Sequence, residues 1–363
     1  MSTGPGTGTR PRVSTELRYR TFGRVTGLRV SELALGTSIF GAGPGARTGP
    51  AEARAIFEAF AQAGGTFLDT ADAYQGGSSE ELVGEFLAGR RDDFVVGTKY
   101  TRSAAPGAGV NDTGNSRRNA VRSLESSLKR LGTDHVDLYW VHLPDGVTPV
   151  EEILATFDDL ARAGKIRYGG LSNFPAWRVA AAATTARWRG GGSLVGVQDE
   201  YSLVNRAADN ELLPAAEAFG LGACLYAPLG GGLLTGKYRH GTDGRLAAWG
   251  RGVQAEDTTQ RTAVLDAVLA TARDIGTTPS QVAVAWLMER AARSATTLVP
   301  VIGPRTIGQL DEYLAALEVQ LTGAQYDLLT QVSDAGPAGR ADQSAFAFGA
   351  DAARFRRHPV PVV

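Results

Sequence analysis

Four side chains that can exchange protons or carry charge stand at or just beyond the ends of apolar segments. Asp69 ends one segment and Tyr74 follows five residues later, Lys99 ends the next segment, and His142 ends the one after that. Alone, Asp69 could cap a helix, Lys99 could extend to solvent, and a single histidine is more often structural than catalytic. Because all four recur at the ends of consecutive segments, they predict a site for proton transfer.

The elements that must position these side chains follow an alternating pattern. After a hairpin signature at residues 17–31, short apolar runs alternate with segments of helical periodicity, which predicts a parallel sheet. The runs occupy residues 33–35, 66–69, 94–98, 136–142, 166–171, 194–198, 223–226 and 298–302. The helical segments occupy residues 51–63, 79–87, 116–131, 150–163, 176–186, 211–219, 259–275, 280–293 and 307–317. Eight such units fit an α/β fold of the closed (β/α)8 TIM barrel type; an open, doubly wound sheet is the alternative.

In such a barrel, functional residues collect at the carboxyl ends of the strands. Further polar residues stand at the ends of later runs, namely Ser172 and Asn173, then Gln198, then Tyr226. We therefore expect these side chains to meet the first four at one end of the barrel.

Bulk composition narrows the class of protein. Lysine and arginine (37) nearly balance aspartate and glutamate (38), so the net charge of −1 does not indicate nucleic-acid binding. The sequence has no apolar run of the roughly 20 residues that span a membrane, and no apolar segment typical of a signal peptide near the N-terminus. A cytoplasmic protein is expected. The one cysteine, Cys224, excludes an internal disulfide, and no His/Asp cluster has metal-ligand spacing, which disfavours a metal hydrolase.

The domain organisation expected is one barrel with two tails. Residues 1–16 are expected to form a flexible tail and residues 17–333 the barrel. Residues 334–363 are expected to be either a loop that closes over the barrel mouth or a disordered tail.

Six segments in a consistent order resemble motifs of the aldo-keto reductase superfamily, over roughly residues 17–332. They are FLDTADAY (67–74), SEELVG (79–84), VGTK (96–99), DLYWVH (137–142), GLSNF (170–174) and YAPL to LLTGKY (226–238). The resemblance implies a (β/α)8 barrel that reduces carbonyl groups of small molecules with NADPH.

The resemblance further implies a catalytic tetrad of Asp69, Tyr74, Lys99 and His142. Hydride addition to a carbonyl leaves an alkoxide, to which Tyr74 would donate a proton. The ammonium of Lys99 would lower the pKa of that phenol, and Asp69 would hold Lys99 in place. His142 would donate a hydrogen bond that orients the substrate oxygen.

The same resemblance implies where the cofactor binds. Ser172, Asn173 and Gln198 would hold the nicotinamide carboxamide, and Tyr226 would stack on its ring. Arg305 and Gln309 would bind the 2′-phosphate of the adenosine, which favours NADPH over NADH. The remaining cofactor contacts implied are Pro228, Leu229, Gly231, Leu233, Lys237 and Gly303. One departure is Tyr313, which stands where family members commonly have an asparagine beside the adenine.

Two glycine-rich segments invite other interpretations. Gly231 to Lys237 has the spacing of a P-loop, but Tyr238 replaces the magnesium-binding hydroxyl residue, so the glycines are expected to approach the cofactor pyrophosphate. The glycines at 41, 43 and 45 lack dinucleotide-binding spacing and are expected to form a flexible loop.

Two other functions remain open beside carbonyl reduction. One is a non-catalytic, NADP-binding interaction module, since the family resembles the β-subunits of potassium channels. The other is a phosphate-binding isomerase or lyase barrel. The substrate is not determined; a keto-sugar or another secondary-metabolite carbonyl is one candidate. We expect loops 39–47, 101–114 and 241–257 to shape the substrate pocket, with Trp140, Phe346, Phe348 and Phe355 in its wall. The oligomeric state also stays open.

Overall fold

The computed structural model describes residues 16–42, 47–105, 107–190, 192–239 and 255–334. The three phenylalanines expected in the pocket wall, most of loop 241–257 and nearly all of both expected tails lie outside these ranges. The part of the chain that is described contains no helix long and apolar enough to cross a membrane.

Eight parallel strands close into a barrel, which confirms the predicted fold. The last strand pairs with the first, with Val301 opposite Ala34 and Ile302 opposite Leu35, and this pairing rules out the open sheet. Strands β1 (Tyr19–Thr21) and β2 (Arg29–Ser31) precede the barrel. The barrel strands are β3 (Ala34–Gly36), β4 (Phe67–Asp69), β5 (Val95–Tyr100), β6 (Val136–Val141), β7 (Ile166–Ser172), β8 (Leu194–Glu200), β9 (Gly222–Tyr226) and β10 (Leu298–Ile302).

Helices connect the strands and cover the outside of the barrel, as the periodicity predicted. They are α1 (Pro50–Gln62), α2 (Ser78–Leu87), α3 (Arg117–Leu131), α4 (Val150–Arg162), α5 (Ala176–Trp188), α6 (Leu212–Phe219), α7 (Thr259–Ile275), α8 (Pro279–Ala292), α9 (Ile307–Ala315) and α10 (Gly323–Val332). Helix α10 was not predicted from the sequence. It begins with a capping box, in which Thr322 and Gln325 bond each other's backbone N–H groups.

A short N-terminal hairpin, which the sequence predicted, supplies a plug for the barrel. Its strands are β1 (Tyr19–Thr21) and β2 (Arg29–Ser31), and between them Phe22 is fully buried against Phe67 and Trp140. Gly196 and Gly222 make room for the ring, because an added Cβ would lie only 2.5 Å and 2.8 Å from it. Barrel interiors are packed cores, and here an aromatic side chain from outside the barrel completes one.

The assignment of Trp140 to the substrate wall was wrong. Its side chain is fully buried inside the barrel, in one cluster with Phe22 and Leu138. Gly97 and Gly170 leave space for it, since a Cβ there would come within 2.9 Å and 2.3 Å of the indole. Trp140 therefore forms part of the core beneath the barrel mouth.

Candidate functional site

Strand periodicity explains how the predicted residues come together. Successive side chains of a strand point to opposite faces, so residues two apart share a face. Interior side chains such as Phe67, Trp140 and Cys224 form one buried cluster. The residue two positions further along each of these strands stands one layer closer to the mouth. That layer holds Asp69, Lys99, His142, Ser172, Gln198 and Tyr226.

Lys99 donates hydrogen bonds to two other members of the predicted tetrad and to one backbone carbonyl. Its fully buried Nζ donates to Asp69 Oδ2 at 2.6 Å, to the carbonyl of Thr70 at 2.8 Å, and to the hydroxyl of Tyr74 at 3.1 Å. These three acceptors satisfy the three donors of an ammonium group. The structure thus places Asp69, Lys99 and Tyr74 in one hydrogen-bonded chain.

A partner of Asp69 was missed from the sequence. Gln198 donates from Nε2 to Asp69 Oδ1 at 2.9 Å, so both carboxylate oxygens accept a hydrogen bond. The sequence suggested only a cofactor contact for Gln198. Gln198 lies near the carboxyl end of β8 and faces inward as Lys99 does on β5, and this position is the signal that could have suggested contact with the tetrad.

His142 follows β6, the strand that pairs with the strand of Lys99, and it lies beside Tyr74. The rings of Tyr74 and His142 meet edge to face with centroids 5.8 Å apart. Burial, together with the positive charges of Lys99 and Arg102, holds the pKa of His142 well below its usual value. The imidazole is therefore neutral at pH 7 and has one N–H to donate. Its Nδ1 is buried and contacts no polar partner within the described residues.

The ionisation of Tyr74 and Lys99 follows from two opposing effects. Burial raises the pKa of Tyr74 and outweighs the lowering by Lys99, so the net shift is upward, against the direction expected from Lys99 alone. For Lys99, burial lowers the pKa, but Asp69 and Tyr74 together raise it above its usual value. At neutral pH the site therefore combines a protonated phenol with a charged ammonium.

Three of the four residues predicted to contact the nicotinamide lie together next to His142, and the fourth, Gln198, is bonded to Asp69. Asn173 donates from Nδ2 to the carbonyl of His142 at 2.9 Å and to Ser172 Oγ at 3.0 Å. Tyr226 donates its hydroxyl proton to Asn173 Oδ1 at 2.8 Å. Ser172 and Asn173 are buried and Tyr226 is half-buried. Amide and hydroxyl groups so arranged match the donor and acceptor of a carboxamide.

The loop after β9, where the sequence predicts a pyrophosphate contact, has a backbone that glycine adopts readily. Three successive glycines, Gly230, Gly231 and Gly232, have φ of 55°, 67° and 100°, which side-chain-bearing residues rarely adopt. A Cβ on Gly232 would lie 3.1 Å from Cε of Lys237. Glycine thus lets the ammonium of Lys237 lie against this loop, and a cation there suits a diphosphate. Pro228, Leu229 and Leu233 frame this loop.

The loop after β10 carries the predicted adenosine contacts. Gly303 and Arg305 follow the strand, Thr306 caps α9, and Gln309 lies in its first turn. Gln309 Oε1 accepts the backbone N–H of Arg305 at 2.8 Å, which fixes the loop against the helix. Tyr313, which stands where family members commonly have an asparagine, is a buried residue of α9. The residues at the barrel mouth therefore fit a phosphorylated dinucleotide in donor chemistry and in backbone shape.

Strained backbone is concentrated at the mouth. Four described residues other than glycine have left-handed φ, and each directly follows Tyr74 or the last residue of β5, β7 or β9. They are Gln75 (50°), Thr101 (105°), Asn173 (62°) and Ala227 (56°). Such conformations cost of order 1–3 kcal/mol each and cluster at functional sites.

A buried aspartate that the sequence analysis missed anchors the loops after β5 and β6. Asp145 Oδ2 accepts from the N–H of Asn115 at 2.8 Å and from Thr148 Oγ1 at 2.6 Å. Asn115 in turn donates to the carbonyl of Leu143 at 2.9 Å. The turn sequence Pro-Asp-Gly at residues 144–146 was the available signal. Asp145 therefore joins the loops that follow the strands of Lys99 and His142.

Among the residues that the structure describes, no group of three or more His, Cys, Asp or Glu side chains could hold a metal ion.

Comparisons with known proteins show the family of the chain. The model of the "Aldo/keto reductase family" matches residues 32–334. The chain is 36% identical to the oxidoreductase YrpG of Bacillus subtilis (strain 168), covering 90% of this chain and 99% of that protein. It is 33% identical to norsolorinic acid reductase of Aspergillus flavus, covering 91% and 84%. It is also 34% identical to a probable voltage-gated potassium channel subunit beta of Oryza sativa subsp. japonica, covering 84% and 92%. The chain therefore belongs to the aldo/keto reductase family of oxidoreductases.

Proposed function

We propose that this protein reduces an aldehyde or ketone to the alcohol with NADPH, and that Tyr74 supplies the proton. The observation that carries the proposal is the chain from Asp69 through Lys99 to the hydroxyl of Tyr74, with contacts of 2.6 Å and 3.1 Å. An acid held beside a fixed cation at the mouth of a barrel is what the protonation of a nascent alkoxide requires.

Each residue has a separate part in the mechanism. When bound, the reduced nicotinamide supplies the hydride. Tyr74 gives its proton to the carbonyl oxygen, and Lys99 stabilises the phenolate that forms. Asp69 and Gln198 keep Lys99 in position. Neutral His142 donates a hydrogen bond to the same oxygen and fixes its direction.

The cofactor would extend across the barrel mouth. Its nicotinamide would lie at Ser172, Asn173 and Tyr226, and its adenosine at the loop after β10. Lys237 and the glycines after β9 would hold the diphosphate. Arg305 and Gln309 would bind the 2′-phosphate, for which a planar guanidinium is well suited. A keto-sugar or another secondary-metabolite carbonyl stays a candidate substrate, and one similar protein is named as a reductase of norsolorinic acid.

The test of Tyr74 is its replacement by phenylalanine, which removes only the hydroxyl. We expect Tyr74→Phe to lower kcat for NADPH-dependent reduction of an aldehyde such as 4-nitrobenzaldehyde by at least about a hundredfold. The dissociation constant for NADPH, measured by fluorescence titration, should stay within about twofold. Full turnover by the variant would exclude Tyr74 as the acid.

The alternative is a cofactor-binding interaction module, which the similarity to a potassium channel β-subunit supports. The two functions differ in one measurement on the unmodified protein. A reductase oxidises NADPH when carbonyl compounds are added, whereas a module binds NADPH tightly and turns over none of a broad panel. The complete set of Asp69, Tyr74, Lys99 and His142 favours the reductase.

A further inference from the structure

A carboxylate stands at the beginning of the helix that is proposed to receive the adenosine phosphate. Glu52, in the first turn of α1, accepts the backbone N–H of Ile307 with Oε1 at a distance of 2.8 Å. Ile307 is the first residue of α9 and follows Arg305 by two positions. Glu52 is neither part of the tetrad nor among the predicted cofactor contacts.

The structure around Glu52 keeps the carboxylate in this place. Helices α1 and α9 pack side by side. Thr48, two residues before α1, donates its hydroxyl to the carbonyl of Arg305 at 3.3 Å. The loop that carries Arg305 is therefore tied to α1 by two side chains, one of them anionic.

Charge decides what this carboxylate does to a bound nucleotide. A helix N-terminus attracts an anion, and here Glu52 already occupies one of its N–H groups. Because Cα atoms are 3.8 Å apart along the chain, Arg305 and Ile307 lie within about 8 Å of each other. A phosphate held by Arg305 together with the N-terminus of α9 would lie near the negative charge of Glu52, because Glu52 is bonded to that N-terminus. A ribose hydroxyl would meet an acceptor instead, the chemistry by which acidic residues select NADH elsewhere.

We propose that Glu52 is a specificity-determining residue that weakens binding of the 2′-phosphate, so that the protein accepts NADH beside NADPH. The inference rests on the proposed function, since it assumes that a nicotinamide dinucleotide binds with its adenosine at α9. On this proposal, Arg305 attracts the 2′-phosphate and Glu52 repels it. The difference between the two effects sets how strongly the protein prefers NADPH over NADH.

The test is Glu52→Gln, which keeps the side-chain oxygen that accepts the Ile307 N–H and removes the charge. Dissociation constants for NADPH and NADH are measured by quenching of protein fluorescence, without turnover. We expect the constant for NADPH to fall about three- to tenfold, the size of one unfavourable charge pair at partly exposed sites. The constant for NADH should stay the same or rise.

Two further variants make the outcome decisive. Glu58→Gln, on the same helix, removes an equal charge from a residue that pairs with Arg90, and should leave the ratio of the two constants unchanged. Arg305→Ala should weaken NADPH more than NADH. If neither dinucleotide binds the unmodified protein, the proposed function itself fails. If both bind and Glu52→Gln leaves their ratio unchanged, or shifts it towards NADH, the role of Glu52 is refuted.

Discussion

At the scale of single residues, burial rather than charge pairing sets the protonation of the proposed acid. Lys99 stabilises the phenolate of Tyr74, but the loss of solvation around the hydroxyl is the larger effect, and the pKa rises. The same burial, with two nearby cations, keeps the pKa of His142 low. The site therefore holds an unionised phenol beside an unionised imidazole over a wide pH range.

This protonation predicts different pH profiles for the two directions of the reaction. Reduction needs Tyr74 protonated, and its pKa lies above the usual value of about 10; His142 is neutral above its usual value of about 6.5. The kcat for reduction should thus be flat between about pH 6.5 and pH 10. Alcohol oxidation needs the phenolate and should rise with pH, by up to about tenfold per unit. Stopped-flow rates of hydride transfer would check both, and a midpoint near pH 7 for reduction would contradict the assignment.

The identities of the predicted site residues came from the sequence, but their contacts did not. Strand ends and motif order pointed to Asp69, Lys99 and His142, because inward positions on parallel strands share one end of the barrel. The bond from Gln198 to Asp69 joins residues 129 positions apart and depends on barrel closure. Trp140 was misplaced because its direction depends on strand parity, which an apolar strand buried on both faces conceals.

At the scale of secondary-structure elements, the N-terminal hairpin acts as a part of the barrel core. Phe22 is fully buried in the cluster that includes Phe67 and Trp140, and Gly196 and Gly222 leave the space it fills. The sequence predicted the hairpin from its turn residues. It could not predict the plug, because glycines in two distant strands become a cavity only when the barrel closes.

Removal of this plug should destabilise the whole barrel. We expect Phe22→Ala to lower the free energy of unfolding by about 3–5 kcal/mol, the usual cost of deleting a buried phenylalanine ring. Val25→Ala, in the same hairpin at a half-exposed position, should change it by no more than about 0.5 kcal/mol. Urea denaturation followed by tryptophan fluorescence measures both. A loss below about 1 kcal/mol for Phe22→Ala would mean that the hairpin packs only loosely.

At the scale of the whole molecule, barrel closure brings together a site whose residues are far apart in the chain. Eight strand–helix units in the sequence favoured a barrel over an open sheet, but only the pairing of β10 with β3 decides between them. That pairing places the loop of Arg305 beside the first helix, and so next to Glu52. The proposed cofactor contacts extend from β7 to α9, so a bound dinucleotide would contact the ends of four of the eight barrel strands.

Such a ligand should stabilise the native protein as a whole. Binding only to the folded state adds about 2.7 kcal/mol at a free NADPH concentration of 100 times the dissociation constant, which for a barrel of this size raises Tm by about 4 °C. Tyr74→Phe should show the same shift, because the hydroxyl acts in proton transfer and not in holding the dinucleotide. Arg305→Ala, at the same NADPH concentration, should show a clearly smaller one. Differential scanning calorimetry measures all three; a Tyr74→Phe protein that NADPH fails to stabilise would mean that this hydroxyl serves binding rather than chemistry.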